Sequence, residues 1–309
     1  MMQAAIQSSI NKPKTKSKTE SKVVKSFKSV LKFVSRLFKQ KRLGAIGATV
    51  ALVFLFFGIF ADVMAPFGMN EVDMAARLKP PSLKHFFGTD NLGRDMFSRC
   101  IYGAQISVII GLTVATLATF VSALIGIVSG YFGGKVDLVV QRFVDAWMSF
   151  PGLVVLIVVA SVFGAGLVQI IITLGLLIGI GGSRIVRSAV VSVRENMYIH
   201  AAKSIGASSG RILWRHVLPN VAPPLIILFT SSVGSAILAE SGLSFLGLGV
   251  PPPTPTWGGM LSGNGRTFML QGPWLAVAPG VCLTLVVYSI NVFGDALRDL
   301  LDPRMRGSR

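Results

Sequence analysis

Five strongly apolar stretches of this chain carry no Asp, Glu, Lys or Arg: Leu43 to Ala61, Cys100 to Gly134, Ala146 to Ser183, Val217 to Ala239 and Thr267 to Gly294. A helix needs about 20 apolar residues to cross a bilayer. The first run therefore predicts a span over 44–66, ending near Asp62 and Pro66, and the second a span at about 103–130. The third, with a few residues before it, is long enough for two spans hinged at Phe163-Gly164-Ala165-Gly166. The fourth and fifth runs complete a set of six. The fold class expected is an all-α polytopic membrane protein, in which an even number of spans leaves both termini on one side.

Between the fourth and fifth spans lies a stretch too polar for lipid. Residues 195–205 are good helix formers, Gly206 and Gly210 punctuate, and 211–218 read as a second short helix closed by Pro219. The expectation is a helix-turn-helix over 195–219. Ala201 and Ala202 would let another surface come close to its backbone, and Gly206 suits a turn that other residues resist. Upstream of the first span the pattern differs again. Residues 1–22 are polar and lysine-rich. Over 23–39 apolar residues such as Phe27, Leu31, Val34 and Phe38 recur at helical spacing, with Lys25, Lys28, Lys32, Arg36 and Lys39 on the other face. That is a basic amphipathic helix suited to an anionic membrane surface, within a basic tail at 1–43. No small-residue cleavage site follows the first apolar run, which reads as an uncleaved anchor.

Composition agrees: 309 residues, 52% hydrophobic and only 14% charged, with a mean hydropathy of +0.66. A net charge of +17 would suggest nucleic acid if it were spread over a basic fold. Instead 24 of the 30 Lys and Arg fall on 1–43, 131–145, 184–219 and 295–309, which the six spans place on one face. An excess of basic residues on short segments marks the cytoplasmic side, so both termini and the 195–219 hairpin are expected there. Cys100 and Cys282 stand alone, without disulfide or metal spacing, and His85, His200 and His216 lie outside the apolar runs. No Gly-x-x-x-x-Gly-Lys-[Ser/Thr] loop occurs, so ATP binding by that device is excluded.

Further blocks carry a resemblance. Ala201-Ala202, Gly206 and Leu218-Pro219 are similar to the coupling-loop motif of ABC-transporter permeases, with His200 where the pattern has Glu and His216 where it has an aliphatic residue. Gly88-Thr89-Asp90-Asn91-Leu92-Gly93-Arg94-Asp95 with Ser98-Arg99, Gly130-Tyr131-Phe132-Gly133-Gly134 with Pro151, Glu240 with Leu243-Ser244-Phe245-Leu246-Gly247, and Gly294-Asp295-Ala296 with Asp302-Pro303-Arg304 resemble the dipeptide/oligopeptide/nickel permeases, nearer the second (C-type) subunit. The resemblance implies a non-catalytic subunit of a prokaryotic inner-membrane importer, most simply for dipeptides or oligopeptides. It would form half of the path, in a five-span core over 102–306 after an external loop at 67–101. It implies as partners a second permease, an external binding protein and two ATPase subunits that carry ATP and Mg; this chain itself would hold no cofactor or metal. His200, Ala201, Ala202, Gly206, Ala207, Arg211, Arg215, His216, Leu218 and Pro219 would meet the ATPase.

Other readings compete. A nickel or metal-chelate importer of the same family is one. An ion-coupled secondary transporter would want acids or histidines in mid-membrane, which spans two to four lack apart from Arg142 and Asp145 near the interface. An integral-membrane enzyme would want clustered His, Asp or Glu. Asp90, Arg94, Asp95 and Arg99 are spaced for a charge network where the external loop enters the second span, either a latch for a docked protein or a satisfied helix cap. Glu240 either faces a path, with Pro151 as a second gate candidate, or satisfies backbone groups where Gly242 breaks its helix. Trp257 and Trp274 are expected as interfacial anchors beside Pro251-Pro252-Pro253.

Overall fold

The computed structural model describes residues 34–301. Most of the basic helix expected over 23–39 lies outside them, as does the closing Asp302-Pro303-Arg304. Residues 34–40 are helical and belong to a unit separate from the bundle, which begins at Leu43. The described residues form helices and no strand, with one isolated bridge between Thr89 and Asp95.

Five helices are long and apolar enough to cross a membrane. They are α1 (Arg42–Ile59), α2 (Met96–Phe132), α5 (Leu167–Arg194), the continuous run Ser209–Phe245, and α11 (Trp274–Leu301). Asp95 starts α2, its carboxylate accepting from the Ser98 N–H at 2.7 Å, and Gly133, at φ +63°, ends it. The third expected span is not one helix. It is α3 (Gly134–Met148) and α4 (Gly152–Phe163), bent by 77° around Pro151. Proline has no N–H to continue a helix and pushes the residue before it out of helical geometry. The 12 residues of α4 reach only about 18 Å, short of a ~30 Å hydrocarbon layer. Counting the bent pair as one crossing gives six.

The second arm of the hairpin also departs from expectation. After α6 (Met197–Ser204), α7 is only Ser209–Ile212, and it passes through a π-helical turn, Leu213–Val217, into α8 (Leu218–Phe245). Pro219 thus opens the long helix and closes nothing. At the first turn a proline N–H would have no partner to lose, and the wider π turn gives the ring room. Gly242 likewise lies inside α8 and does not break it.

Small residues hold the bundle together. A Cβ on Gly126 of α2 would come within 2.7 Å of the Ser183 carbonyl of α5, and one on Gly179 within 2.9 Å of the Ala118 carbonyl. The Ser122 hydroxyl donates to the Gly179 carbonyl at 2.7 Å across the same seam. Such backbone proximity, in place of bulky interdigitation, is the usual way helices associate in lipid. At one end, two short helices, α9 (Trp257–Leu261) and α10 (Gly263–Phe268), fold back between α8 and α11. Trp257 is no interfacial anchor: it is 1% exposed, stacks edge-on against Phe54 and donates its indole N–H to the Cys100 carbonyl at 3.1 Å. Trp274, half-buried, donates to the Thr89 carbonyl at 3.1 Å.

Candidate functional site

The hairpin stands at the bundle end where α2, α5 and α3 meet. Asn196 precedes α6, its amide donating to the Ser192 and Val193 carbonyls at 3.0 Å. One side of the hairpin is a core of its own: Ile199, Ala202, Ile212 and Val217 are buried against Tyr131, Val186, Val190 and Val221. The Lys203 ammonium sits 5.5 Å from the Tyr131 ring centre. The hairpin is therefore packed onto α2, α5 and α8.

Gly206 makes the turn. It adopts φ +80°, and its N–H donates to the Lys203 carbonyl while Ala207 N–H donates to the Ala202 carbonyl, at 2.9 and 3.0 Å. An added Cβ would meet nothing within 4 Å, so the demand for glycine is one of backbone conformation and not of space. Ser208 then caps α7, its hydroxyl accepting from the Arg211 N–H.

The outer face of the hairpin is exposed. His200, Ala201, Gly206, Arg211, Arg215 and Pro219 lie on it; Ala207, His216 and Leu218 are half-buried. Ala202 points inward and belongs to the packing, so a partner cannot lie against it. The His216 ring lies 6.1 Å from that of Tyr198. Three large apolar side chains of the hairpin are strongly exposed: Met197 and Ile205, each 85% exposed, and Trp214, 75% exposed. Sequence reasoning passed over them, because a small-residue motif drew attention away from apolar residues isolated in a polar stretch.

Ion pairs frame the base of the hairpin. Asp137 of α3 takes a two-point contact from Arg187 of α5 and a hydrogen bond from Ser129 of α2. Arg194 donates to the Gly130 carbonyl at 3.1 Å and pairs with Glu195 at 2.9 Å. Asp145 pairs with Arg184 and, at 3.4 Å, with exposed Arg142.

The opposite end gathers Asp90, Arg94, Asp95 and Arg99, all buried, but not as one network. Asp90 pairs with Arg94 at 2.7 Å and also accepts the N–H of Leu92 and of Arg94. Asp95, besides capping α2, accepts from His85 at 2.9 Å. Arg99 meets neither carboxylate and donates to the Met69 carbonyl at 2.8 Å. Glu240 is wholly buried, and the hydroxyls of Ser244, at 2.6 Å, and Ser241, at 3.4 Å, meet its oxygens. With the helix unbroken at Gly242, those hydroxyls replace the freed backbone groups that the sequence suggested. Pro151, the other gate candidate, is exposed at the α3–α4 bend. Among the described residues no group of three His, Cys, Asp or Glu is placed to hold a metal.

Comparison with known proteins follows this geometry. The family model described as binding-protein-dependent transport system inner membrane component matches residues 122–307, and the N-terminal transmembrane domain of oligopeptide transport permease C matches residues 29–81. A dipeptide transport system permease protein of Alkalihalophilus pseudofirmus is 38% identical over 269 residues, which are 87% of this chain and 88% of that protein. A probable D,D-dipeptide transport system permease protein of Escherichia coli is 37% identical over 273 residues, 88% of this chain and 91% of its own length. Among solved structures, a chain of the methionine ABC transporter MetNI in an inward-facing conformation aligns with a TM-score of 0.54 at 17% identity. It covers 67% of this chain and 98% of its own, a likeness of fold.

Proposed function

The chain belongs to the family of binding-protein-dependent transport system inner membrane components, and on that premise we propose that it is the second permease subunit of an ATP-driven importer of dipeptides or oligopeptides. Its relatives named for dipeptide transport, each matched over most of its length, support the cargo. The importer would comprise this chain, a second permease, two ATPase subunits on the cytoplasmic face and a binding protein outside. ATP and Mg would reside on the ATPases.

One observation carries the mechanism: a hairpin packed onto α2, α5 and α8 holds Met197, Ile205 and Trp214 exposed. With the basic residues concentrated on that face, the hairpin lies in the cytoplasm. Docked to an ATPase, it would pass a displacement of that subunit to the span ends through Ile199, Ile212 and Val217, since a packed core transmits strain. His200, in place of an acidic residue, leaves this face without a carboxylate between Glu195 and Pro219.

The test is reconstitution of the full complex in vesicles with a fluorescent dipeptide. Import should need ATP and external binding protein, and should survive collapse of proton and sodium gradients. Import that follows an ion gradient without ATP would replace this reading with a secondary transporter. Competition by nickel chelates but not by peptides would replace the cargo. Cysteine at Leu83, 95% exposed, should label from outside intact cells, and cysteine at Ser208 only after permeabilisation.

A further inference from the structure

At the end that this topology places outside, a cavity of about 290 Å³ opens between the start of α2, the end of α8 and the Pro251-Pro252-Pro253 loop. Two buried arginines line it, Arg94 at 9% and Arg99 at 7% exposure. The nearby acids are already used. Asp90 neutralises Arg94, and Asp95 holds the Ser98 N–H and His85. Arg99 is left with one firm acceptor among the described residues, the Met69 carbonyl. A second contact, 3.4 Å from the Asn70 side-chain oxygen, disappears when that amide is turned so that its nitrogen donates to the Met69 and Pro253 carbonyls at 3.2 and 3.0 Å. That orientation pairs Asn70 with the cavity's proline roof and not with the guanidinium.

A guanidinium has five N–H donors and a charge that is costly to bury without a counter-ion. Here it borders open space, and among the side chains that line the cavity the two arginines face one carboxylate, Asp90, with Asp95 turned away to the Ser98 N–H and His85. The rigid fork of arginine fits a carboxylate at two points, and this balance matches a monoanion better than a phosphate dianion. The rest of the lining is mixed: Met96, Val250, Met260 and Leu275 give an apolar wall, and Ser244, Thr256 and Ser262 add hydroxyl residues. A volume of about 290 Å³ is at the small end of ligand pockets, enough for one residue and not for a whole peptide.

We propose that this cavity is a carboxylate site that receives the C-terminal residue of a peptide, its carboxylate on Arg99 and its side chain against Met96, Met260 and Leu275. The assignment rests on the peptide-import reading above. It would give the permease its own check on a peptide's free C-terminus during delivery.

The test uses the full chain in lipid nanodiscs with N-acetyl-leucine and N-acetyl-leucinamide as probes, followed by saturation-transfer NMR. The acid should bind about tenfold more tightly than the amide, a difference of about 1.4 kcal/mol. Arg99→Gln should bring the acid down to the level of the amide, and Arg99→Lys should recover part of the difference. Because Arg99→Gln also releases the Met69 carbonyl, Ser262→Trp offers an independent block: it fills the cavity from the far side and should remove binding of both probes. Equal binding of acid and amide by the unaltered chain, or acid preference that survives Arg99→Gln, overturns the site. In the assembled importer, Arg99→Gln should erase the preference for free over C-terminally amidated peptides. If it preserves that preference and instead raises the binding-protein concentration needed, the carboxylate belongs to the docked protein and the peptide assignment is overturned. Acid-selective binding by a complex that imports no peptide would fail the import reading and not the carboxylate chemistry.

Discussion

At the end of the bundle that carries the Pro251-Pro252-Pro253 loop, polar groups are drawn inward and paired: Asp90 with Arg94, Asp95 with His85, and the indoles of Trp257 and Trp274 with backbone carbonyls. At the hairpin end the ion pairs sit around the base, and the two arms leave Met197, Ile205 and Trp214 exposed. Large apolar side chains are also exposed along the spans, where lipid covers them. On the hairpin no described residue does, and burying each such side chain is worth roughly 1.5–3 kcal/mol. The difference teaches which end is complete in itself. The first end keeps its unmatched polar atoms inside, among them the Arg99 guanidinium beside a cavity, His85 Nε2 and Asn91 Oδ1; the hairpin end exposes an apolar surface, the one the proposed ATPase would cover.

The two ends share one scaffold, and breaking it should have the largest effect. Ser183 is fully buried where α5 meets Gly126 of α2. Ser183→Trp should cost upwards of about 3 kcal/mol and remove monodisperse protein from detergent extracts, whatever the state of either end. A normal size-exclusion profile would show that the α2–α5 seam is looser than described.

Next comes the turn of the hairpin. Gly206→Val forces a β-branched residue to φ +80°, a strain of about 1–3 kcal/mol. Hydrogen exchange should quicken over 197–217 and ATPase association should weaken, while membrane insertion stays normal. Since a Cβ there meets open space, Gly206→Ala should behave as a milder copy; an effect that instead followed side-chain volume would point to a partner in contact with the turn itself.

The smallest effect is expected at the base. Arg142 is largely exposed, and its 3.4 Å pair with Asp145 duplicates that of Arg184. Arg142→Ala should change thermal stability by less than about 0.5 kcal/mol in the equivalent unfolding free energy. A larger loss would mean that α3 is held down at that point alone.

The spans were legible because hydrocarbon imposes length and forbids unpaired charge, so uncharged runs such as 100–134 and 267–294 announce themselves. The hairpin's first arm was legible for a related reason, its polarity between two apolar runs. The second arm was not. Pro219 signals a helix end locally, yet a π turn over 213–217 lets the chain run on into α8, and only the three-dimensional path decides between them. Pro151 was legible as a candidate kink, but not the 77° angle of the bend, because both of its flanks are apolar. The charges 90, 94, 95 and 99 were visible as a cluster, but their partition needed His85 and Met69, which are distant enough along the chain to carry no local signal. Ala202 was read as a contact face; its burial under Tyr131 follows from α2, which no pattern within the hairpin reveals.

The central claim is that the exposed apolar face of the hairpin is where an ATPase holds this subunit. It is tested most directly by co-purifying the ATPase with the full complex carrying Met197→Ser, Ile205→Ser and Trp214→Ser together. All three side chains are solvent-exposed, so thermal stability of the permease should be unchanged. Association should fall by at least about 30-fold, equivalent to roughly 2 kcal/mol for a Trp-centred contact, and peptide-stimulated hydrolysis should be lost. Undiminished co-purification and hydrolysis with the triple variant would contradict the account.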